Sequence, residues 1–228
     1  MTTLVSLIGA GPGDPGLLTL LGAQRISEAD TVLCDALVHR AVLRHARPDA
    51  ELLVVGKRGG EDSAAQEEIL HTMVFRARQG RRVARVKGGD PMIFSSAAEE
   101  MAFLRAEGVA YESSRRHRGA RRERAFAAIP PHPPRPRVEG VTFVTATERR
   151  AADVEHDWSR LATATQTLVI YMGLHRLQET LRELVAGDAP GAAAAAISHA
   201  TLPTQRVVQG TVADSPTASP AAATPRPR

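Results

Sequence analysis

Two short stretches carry residue types that bring backbone close to a small ligand. "GAGPGDPG" (9–16) follows an apolar run, and "KGGDP" (87–91) follows another. In the second, Gly88 and Gly89 permit close approach of main chain to a ligand. Asp90, held extended by Pro91, can accept hydrogen bonds from a ribose or an amine. In the first, the glycines invite a dinucleotide-binding reading, but Asp14 occupies the third glycine's place in G-x-G-x-x-G. Pro12 and Pro15 also remove two N–H groups that would cradle phosphate, so the loop suits a ligand without one. Taken singly, each stretch is equally an ordinary strand-to-helix turn or an N-cap loop. Asp35 and Lys57 each sit at a strand exit. One such residue is an ordinary loop position, whereas two of opposite charge on neighbouring loops form a candidate proton-transfer pair. Met172, after "VIY", reads by itself as core packing. The eight histidines show no metal-ligand spacing, and a lone Cys34 excludes an intramolecular disulfide framework or a cysteine metal site.

These residues need elements to hold them. Apolar runs at 3–8, 31–34, 51–55, 82–86, 141–146 and 167–173 predict strands, with another beginning at 109–111 and the last two at 192–198 and 205–211. Helical spacing marks 17–29, 38–45, 64–80, 99–107 and 177–186. Alternation of strands and helices predicts an α/β fold with mostly parallel sheets and flanking helices. Ligands of such sheets bind at loops leaving the carboxyl ends of strands, which is where the glycine-rich stretches fall.

Charge is unevenly distributed. The chain of 228 residues has 29 Lys and Arg against 25 Asp and Glu, a net charge of +4 and a pI near 9.9. Residues 115–137 alone hold eight arginines and one glutamate, leaving 21 basic and 24 acidic residues elsewhere. The basicity therefore belongs to one segment and not to the fold. An arginine-rich nucleic-acid arm is one reading of it, but no Phe, Tyr or Trp lies among the six arginines of 115–124 to stack on bases. Thr3–Ile8 runs into a Gly/Pro turn without a cleavage pattern, and no apolar run reaches the ~18 residues of a membrane span. The expectation is a cytoplasmic protein with no membrane and no nucleic-acid partner.

Taken together the motifs are far more specific. "VSLIGAGPGDPGLLTL", "DALV", "VGKRGG", "QEEI", "RVKGGDPMIF", "TLVIYMG" and "TQRVVQGT" resemble, in order and spacing, the uroporphyrinogen-III C-methyltransferases of the tetrapyrrole methylase family. The resemblance covers about 3–112 and 138–214. It implies two α/β lobes, 1–112 and 138–214, with S-adenosylmethionine in the cleft between them, and a homodimer. It implies two methyl transfers to uroporphyrinogen III, giving precorrin-2 for sirohaem or cobalamin, with no metal. By motif, Pro12, Gly88, Gly89, Asp90, Ile93, Met172 and Ala200 match cofactor-binding positions. Asp35 matches the proton acceptor and Lys57 the proton donor. The substrate carries eight carboxylates, for which Lys57, Arg58, Arg85 and Lys87 are candidate anchors. Another enzyme of the same superfamily, or a catalytically impaired remnant, are the alternatives.

Two departures stand out. Ser95-Ser96-Ala97-Ala98 replaces the family's Gly-Arg-Gly-Gly, and 113–137 lacks the family's Pro-Gly-(Val/Ile)-Thr motif. With permitted codons, Ser114–Arg124 read one base later gives "PGVTAALGASA", and the constrained middle base agrees throughout. Segment 113–137 thus reads as a frame-shifted stretch, the end after 214 as truncated by a similar shift, and 215–228 as a disordered tail. Eight arginines in place of small residues resist burial, since one unpaired buried guanidinium costs several kcal/mol. Limited trypsin digestion is expected to cut first between Arg115 and Arg124; early protection of those bonds would indicate a folded basic loop instead.

Overall fold

The computed structural model describes residues 4–55, 64–114, 140–146, 156–164, 167–187 and 190–214. It divides into two compact units, Met1–Gly119 and Ala120–Arg228. The first is built on a five-stranded sheet: β1 (Leu4–Gly9), β2 (Thr31–Asp35), β3 (Glu51–Val55), β4 (Val83–Lys87) and β5 (Ala110–Ser114). The strand order is β3-β2-β4-β1-β5, and every pairing is parallel. Strands inside such a sheet are covered on both faces and read as near-continuous apolar runs. The central three do so, whereas edge strand β3 alternates between half-buried and exposed.

Helices α1 (Leu20–Glu28), α2 (Ala64–Arg78) and α3 (Ala97–Ala106) flank this sheet. Val5, Leu7, Leu33 and Val83 face α2 and α3 through Ile69, Met73, Val74 and Leu104. The other face packs Ile8, Val32, Cys34, Ala84 and Val86 against Ile26 of α1 and Val42. The helix anticipated around 38–45 is a short 3-10 segment, Arg40–His45. The run anticipated as one helix over 17–29 is split. Asp14 caps a single 3-10 turn, Pro15–Leu17, by accepting Gly16 N–H at 2.8 Å, and Thr19 then caps α1 through Gly22 N–H at 2.9 Å. Asp14 displaces the fingerprint glycine because it has this capping work to do.

In the second unit β6 (Val141–Thr145) and β7 (Thr167–Tyr171) pair in parallel, while β8 (Ala193–Ser198) and β9 (Arg206–Thr211) form an antiparallel hairpin. Helices α4 (Trp158–Ala164) and α5 (Leu177–Ala186) contribute Trp158, Leu181 and Leu184 to a core shared with Val144, Ala146 and Val212. Helix α4 was not foreseen from the sequence, although Asp157 is a recognisable start signal: its Oδ1 accepts Arg160 N–H at 3.0 Å. Residues 113 and 114, assigned from sequence to the aberrant segment, are the end of β5, with Ser114 opposite Ile8. The rest of that segment, 115–137, and the tail 215–228 lie outside the described residues. Among the described residues no helix is long and apolar enough to cross a membrane.

Candidate functional site

The carboxyl ends of β1, β2 and β4 lie side by side, and those sequence-predicted residues of the first unit that are described gather there. The loop after β1 and the loop after β4 are joined by main chain. Gly11 N–H donates to Gly89 O at 3.1 Å, and Gly89 N–H returns to Gly11 O at 2.9 Å. Ala10 N–H donates to Lys87 O at 2.8 Å, continuing the sheet one step beyond its strands. The close approach requires glycine. A Cβ on Gly9 would lie 2.7 Å from Pro91 Cδ and 2.9 Å from Gly89 O. Gly89 itself has φ +68°, and Cβ atoms built on Gly88 and Gly89 meet nothing within 4 Å. The tip of the loop is thus open on its outer side, as a main-chain ligand cradle must be. Pro12, Asp90 and Ile93 line the same pair of loops, all half-buried. Asp90 Oδ1 accepts Met92 N–H at 2.9 Å and Asp90 O accepts Ile93 N–H at 3.2 Å, so the aspartate shapes its own turn.

Beneath the loop lies a charge cluster. Val83, Arg85 and Lys87 alternate onto the α2/α3 face of β4, so two cations point into the protein. Arg85 and Lys87 are only 1% and 4% exposed. Glu100, in the first turn of α3, is 0% exposed, and its Oε1 takes Lys87 Nζ at 2.7 Å, Ser96 Oγ at 3.1 Å and Arg85 Nε at 3.3 Å. Lys87 also donates to Ser96 Oγ at 2.9 Å. Arg85 extends to the neighbouring strand, where its Nη2 is 2.5 Å from Asp35 Oδ1. Asp35 keeps partial access to solvent, with 29% of its side chain exposed.

Burial works to raise the Glu100 pKa, but Arg85 and Lys87 outweigh it and hold the carboxyl below its ordinary 4.5. Lys87 moves down from the usual lysine value for the opposite balance: burial and the Arg85 charge exceed what Glu100 returns. One carboxylate is shared between two cations, so the carboxylate gains more than either cation does. Burial also pushes the Cys34 thiol up to about 11, which leaves it a protonated core residue.

The structure corrects one sequence expectation. Arg85 and Lys87 were candidate anchors for an anionic substrate, but both are buried and committed to Glu100, Ser96 and Asp35. Lys57 and Arg58 lie outside the described residues, although Val55, the last described residue before them, pairs with Asp35. Glu100 and Ser96 were missed. Two cations on one face of a central strand demand a buried carboxylate, and the Glu99-Glu100 pair in the next helix was the available signal. Met172 and Ala200 belong to the second unit. Met172 follows the end of β7, is 51% exposed and has φ +55°. Ala200 sits between His199 and Thr201, both also at positive φ. No group of three or more His, Cys, Asp or Glu suited to a metal occurs among the described residues.

Residues 4–216 match the tetrapyrrole (corrin/porphyrin) methylases. The chain is 43% identical to siroheme synthase 1 of Yersinia enterocolitica over 92% of its own length and 44% of the relative's. It is 44% identical to a siroheme synthase of Neisseria meningitidis, again over 92% and 44%. The chain therefore spans less than half the length of these curated relatives. Among solved structures, the native uroporphyrin III C-methyltransferase of Thermus thermophilus is similar at TM-score 0.78 and 31% identity, over 99% of this chain and 94% of that one. A complex of the Thermus thermophilus enzyme with S-adenosyl homocysteine gives 0.77 and 32%, over 92% and 89%. A cobalt precorrin-4 methyltransferase gives 0.80 and 27%, over 92% and 86%.

The cluster makes a pH-dependent prediction. Glu100→Gln leaves two buried cations short of a counter-charge, a loss of about 3–5 kcal/mol at neutral pH by the usual cost of breaking a buried pair. The folded pKa of Glu100 is lowered, so its contribution is complete above the ordinary value of 4.5 and is lost as pH falls below that value through the folded one. Urea unfolding followed by circular dichroism is expected to show a gap between parent and variant that narrows as pH drops below 4.5. A gap that stays constant through that range would remove Glu100 as an ionised partner.

Proposed function

The chain belongs to the tetrapyrrole methylase family and is an S-adenosylmethionine-dependent methyltransferase; from this premise we propose that it methylates uroporphyrinogen III twice, by way of precorrin-1, to give precorrin-2 for sirohaem or cobalamin. The observation that carries the proposal is the pair of glycine loops locked together at Gly11 and Gly89 above Asp35 and its arginine. The likeness to siroheme synthases and to the Thermus thermophilus methyltransferase supports this choice of substrate.

The open main chain at Gly88 and Gly89 suits the methyl donor, because a side chain at either position would occupy the space a ligand needs. Pro12, Gly88, Gly89, Asp90 and Ile93 are the proposed contacts from the first unit, and Met172 and Ala200 those from the second. The sulfonium supplies an already activated methyl group, so the protein's share is to orient an in-line displacement and to move protons on the macrocycle. Asp35 is the proposed proton acceptor. Arg85 fixes its carboxylate from the inside while the outer edge stays accessible. Lys57 is the proposed proton donor. With Arg85 and Lys87 committed internally, Lys57 and Arg58 remain from the four anchors considered for the substrate's carboxylates. A homodimer is the expected assembly. A methyltransferase acting later on the corrin ring is the second reading, favoured by the TM-score of 0.80 to the cobalt precorrin-4 enzyme.

Mass spectrometry of reactions containing uroporphyrinogen III and S-adenosylmethionine is expected to show products carrying one and then two added methyl groups. Asp35→Ala is expected to lower turnover by about a hundredfold or more while leaving S-adenosylhomocysteine affinity within a few-fold, because proton transfer acts in the transition state. The same assay is run on a version in which Ser114–Arg124 is replaced by "PGVTAALGASA" and 125–130 is kept, and activity confined to that version would assign the loss to the arginine segment. Absence of methylated product in both forms would contradict the proposal, and turnover of a later corrin intermediate alone would favour the second reading.

A further inference from the structure

The turn joining β8 to β9 holds Ala200 in a conformation that its own residues do not favour. His199 and Thr201 have φ +48° and +72°. Thr201 is β-branched, and the left-handed region crowds its side chain against the main chain. Main-chain bonds close the turn only in part: Leu202 N–H donates to His199 O at 3.1 Å, and Gln205 N–H donates to Leu202 O at 2.9 Å. The N–H of Thr201 goes elsewhere. It donates to the side-chain Oε1 of Gln205 at 2.7 Å, a bond wholly inside the protein. Thr201 and Gln205 are 6% and 8% exposed. Gln205 is itself anchored, since the next residue, Arg206, begins β9 opposite Ser198. The Gln205 carboxamide therefore ties a strained peptide on one side of Ala200 to the start of β9.

We infer that Gln205 is a positioning residue for the methyl-donor site, its carboxamide oxygen holding the Ala200–Thr201 peptide in the orientation in which Ala200 meets the donor. The inference rests on the reading of Ala200 as a donor contact. Strained non-glycine residues persist where surrounding structure over-determines them, and they concentrate at ligand clamps. The Gln205 carboxamide is such a contact. Without it the buried Thr201 N–H has lost an acceptor, and the turn relaxes toward negative φ.

Three substitutions separate this role from simple core filling. Gln205→Leu keeps apolar volume and burial but removes the acceptor. Gln205→Asn keeps the amide but withdraws it by one methylene. Gln205→Glu keeps an acceptor oxygen at the original reach. Titration calorimetry of the full chain with S-adenosylhomocysteine is expected to show affinity reduced about tenfold or more for the leucine and asparagine variants. The glutamate variant is expected to stay within about threefold of the parent. Melting temperatures follow each variant to register loss of folding. Equal affinity in the parent and the leucine and asparagine variants overturns the positioning role. So does weakening by all three variants in proportion to their loss of melting temperature, which is what core damage alone would give. Failure of both the parent and its version with Ser114–Arg124 replaced by "PGVTAALGASA" to bind S-adenosylhomocysteine strikes the donor-site reading on which the inference stands.

Discussion

One carboxylate oxygen, Glu100 Oε1, holds the first unit's working edge together. Strand β4 crosses the middle of the sheet with two cations facing inward, and a parallel sheet covered by helices offers them no water. Glu100 meets Lys87 and Ser96 with the same atom and reaches Arg85 as well. Lys87 is the last residue of β4 and Ser96 the last before α3. The intervening loop, which carries Gly88, Gly89, Asp90 and Ile93, is thus fastened at both ends to one buried group. The loop's outer surface stays open because the clasp is underneath it.

The same cluster connects the loop to the neighbouring strand. Arg85, fixed by Glu100 on one side, presents its guanidinium to Asp35 on the other. A carboxylate at a strand exit, partly accessible and backed by an immobile cation, is held in one place without being withdrawn from solvent. The Gly11–Gly89 bridge fixes the third participant, the loop after β1, by main chain alone. In the second unit strained backbone contributes as well. Met172, His199 and Thr201 all sit at positive φ without being glycine, a cost of order 1–3 kcal/mol each that specific contacts must offset. Phe94, in the first unit's loop between β4 and α3, shares this conformation at φ +47°, so local strain enters both units.

Much of this was legible in the sequence, and the remainder was hidden for physical reasons. The buried strands announced themselves as apolar runs, and the glycine loops after β1 and β4 stood at strand exits because nothing but glycine permits their approach. Helix α2 lies within its predicted span, 64–80, where Ile69, Leu70, Met73, Val74 and Ala77 recur at helical spacing and enter the core. Arg85 and Lys87 misled, since a charged residue is normally a surface residue and only tertiary packing reveals an internal partner. Glu100 was signalled only by the acidic pair Glu99-Glu100, because its role depends on α3 folding back over β4. The 17–29 stretch was read as continuous helix because apolar spacing continues through Leu17 and Leu18, while the capping side chains of Asp14 and Thr19 break it. Helix α4 is short, among threonines and alanines that do not carry a helical pattern by themselves. The antiparallel pairing of β8 and β9 depends on the turn at 199–205, whose geometry rests on a glutamine side chain and not on a turn signature.

The central claim is that the two glycine loops fastened by Glu100 and by the Gly11–Gly89 bridge form a methyl-donor cradle. Hydrogen–deuterium exchange of the full chain, with and without S-adenosylhomocysteine, tests it most directly. The account predicts slower exchange on binding in peptides covering 9–15 and 88–93, together with those containing Met172 and Ala200. Binding accompanied by protection confined to other parts of the chain, with those loops unchanged, would contradict it.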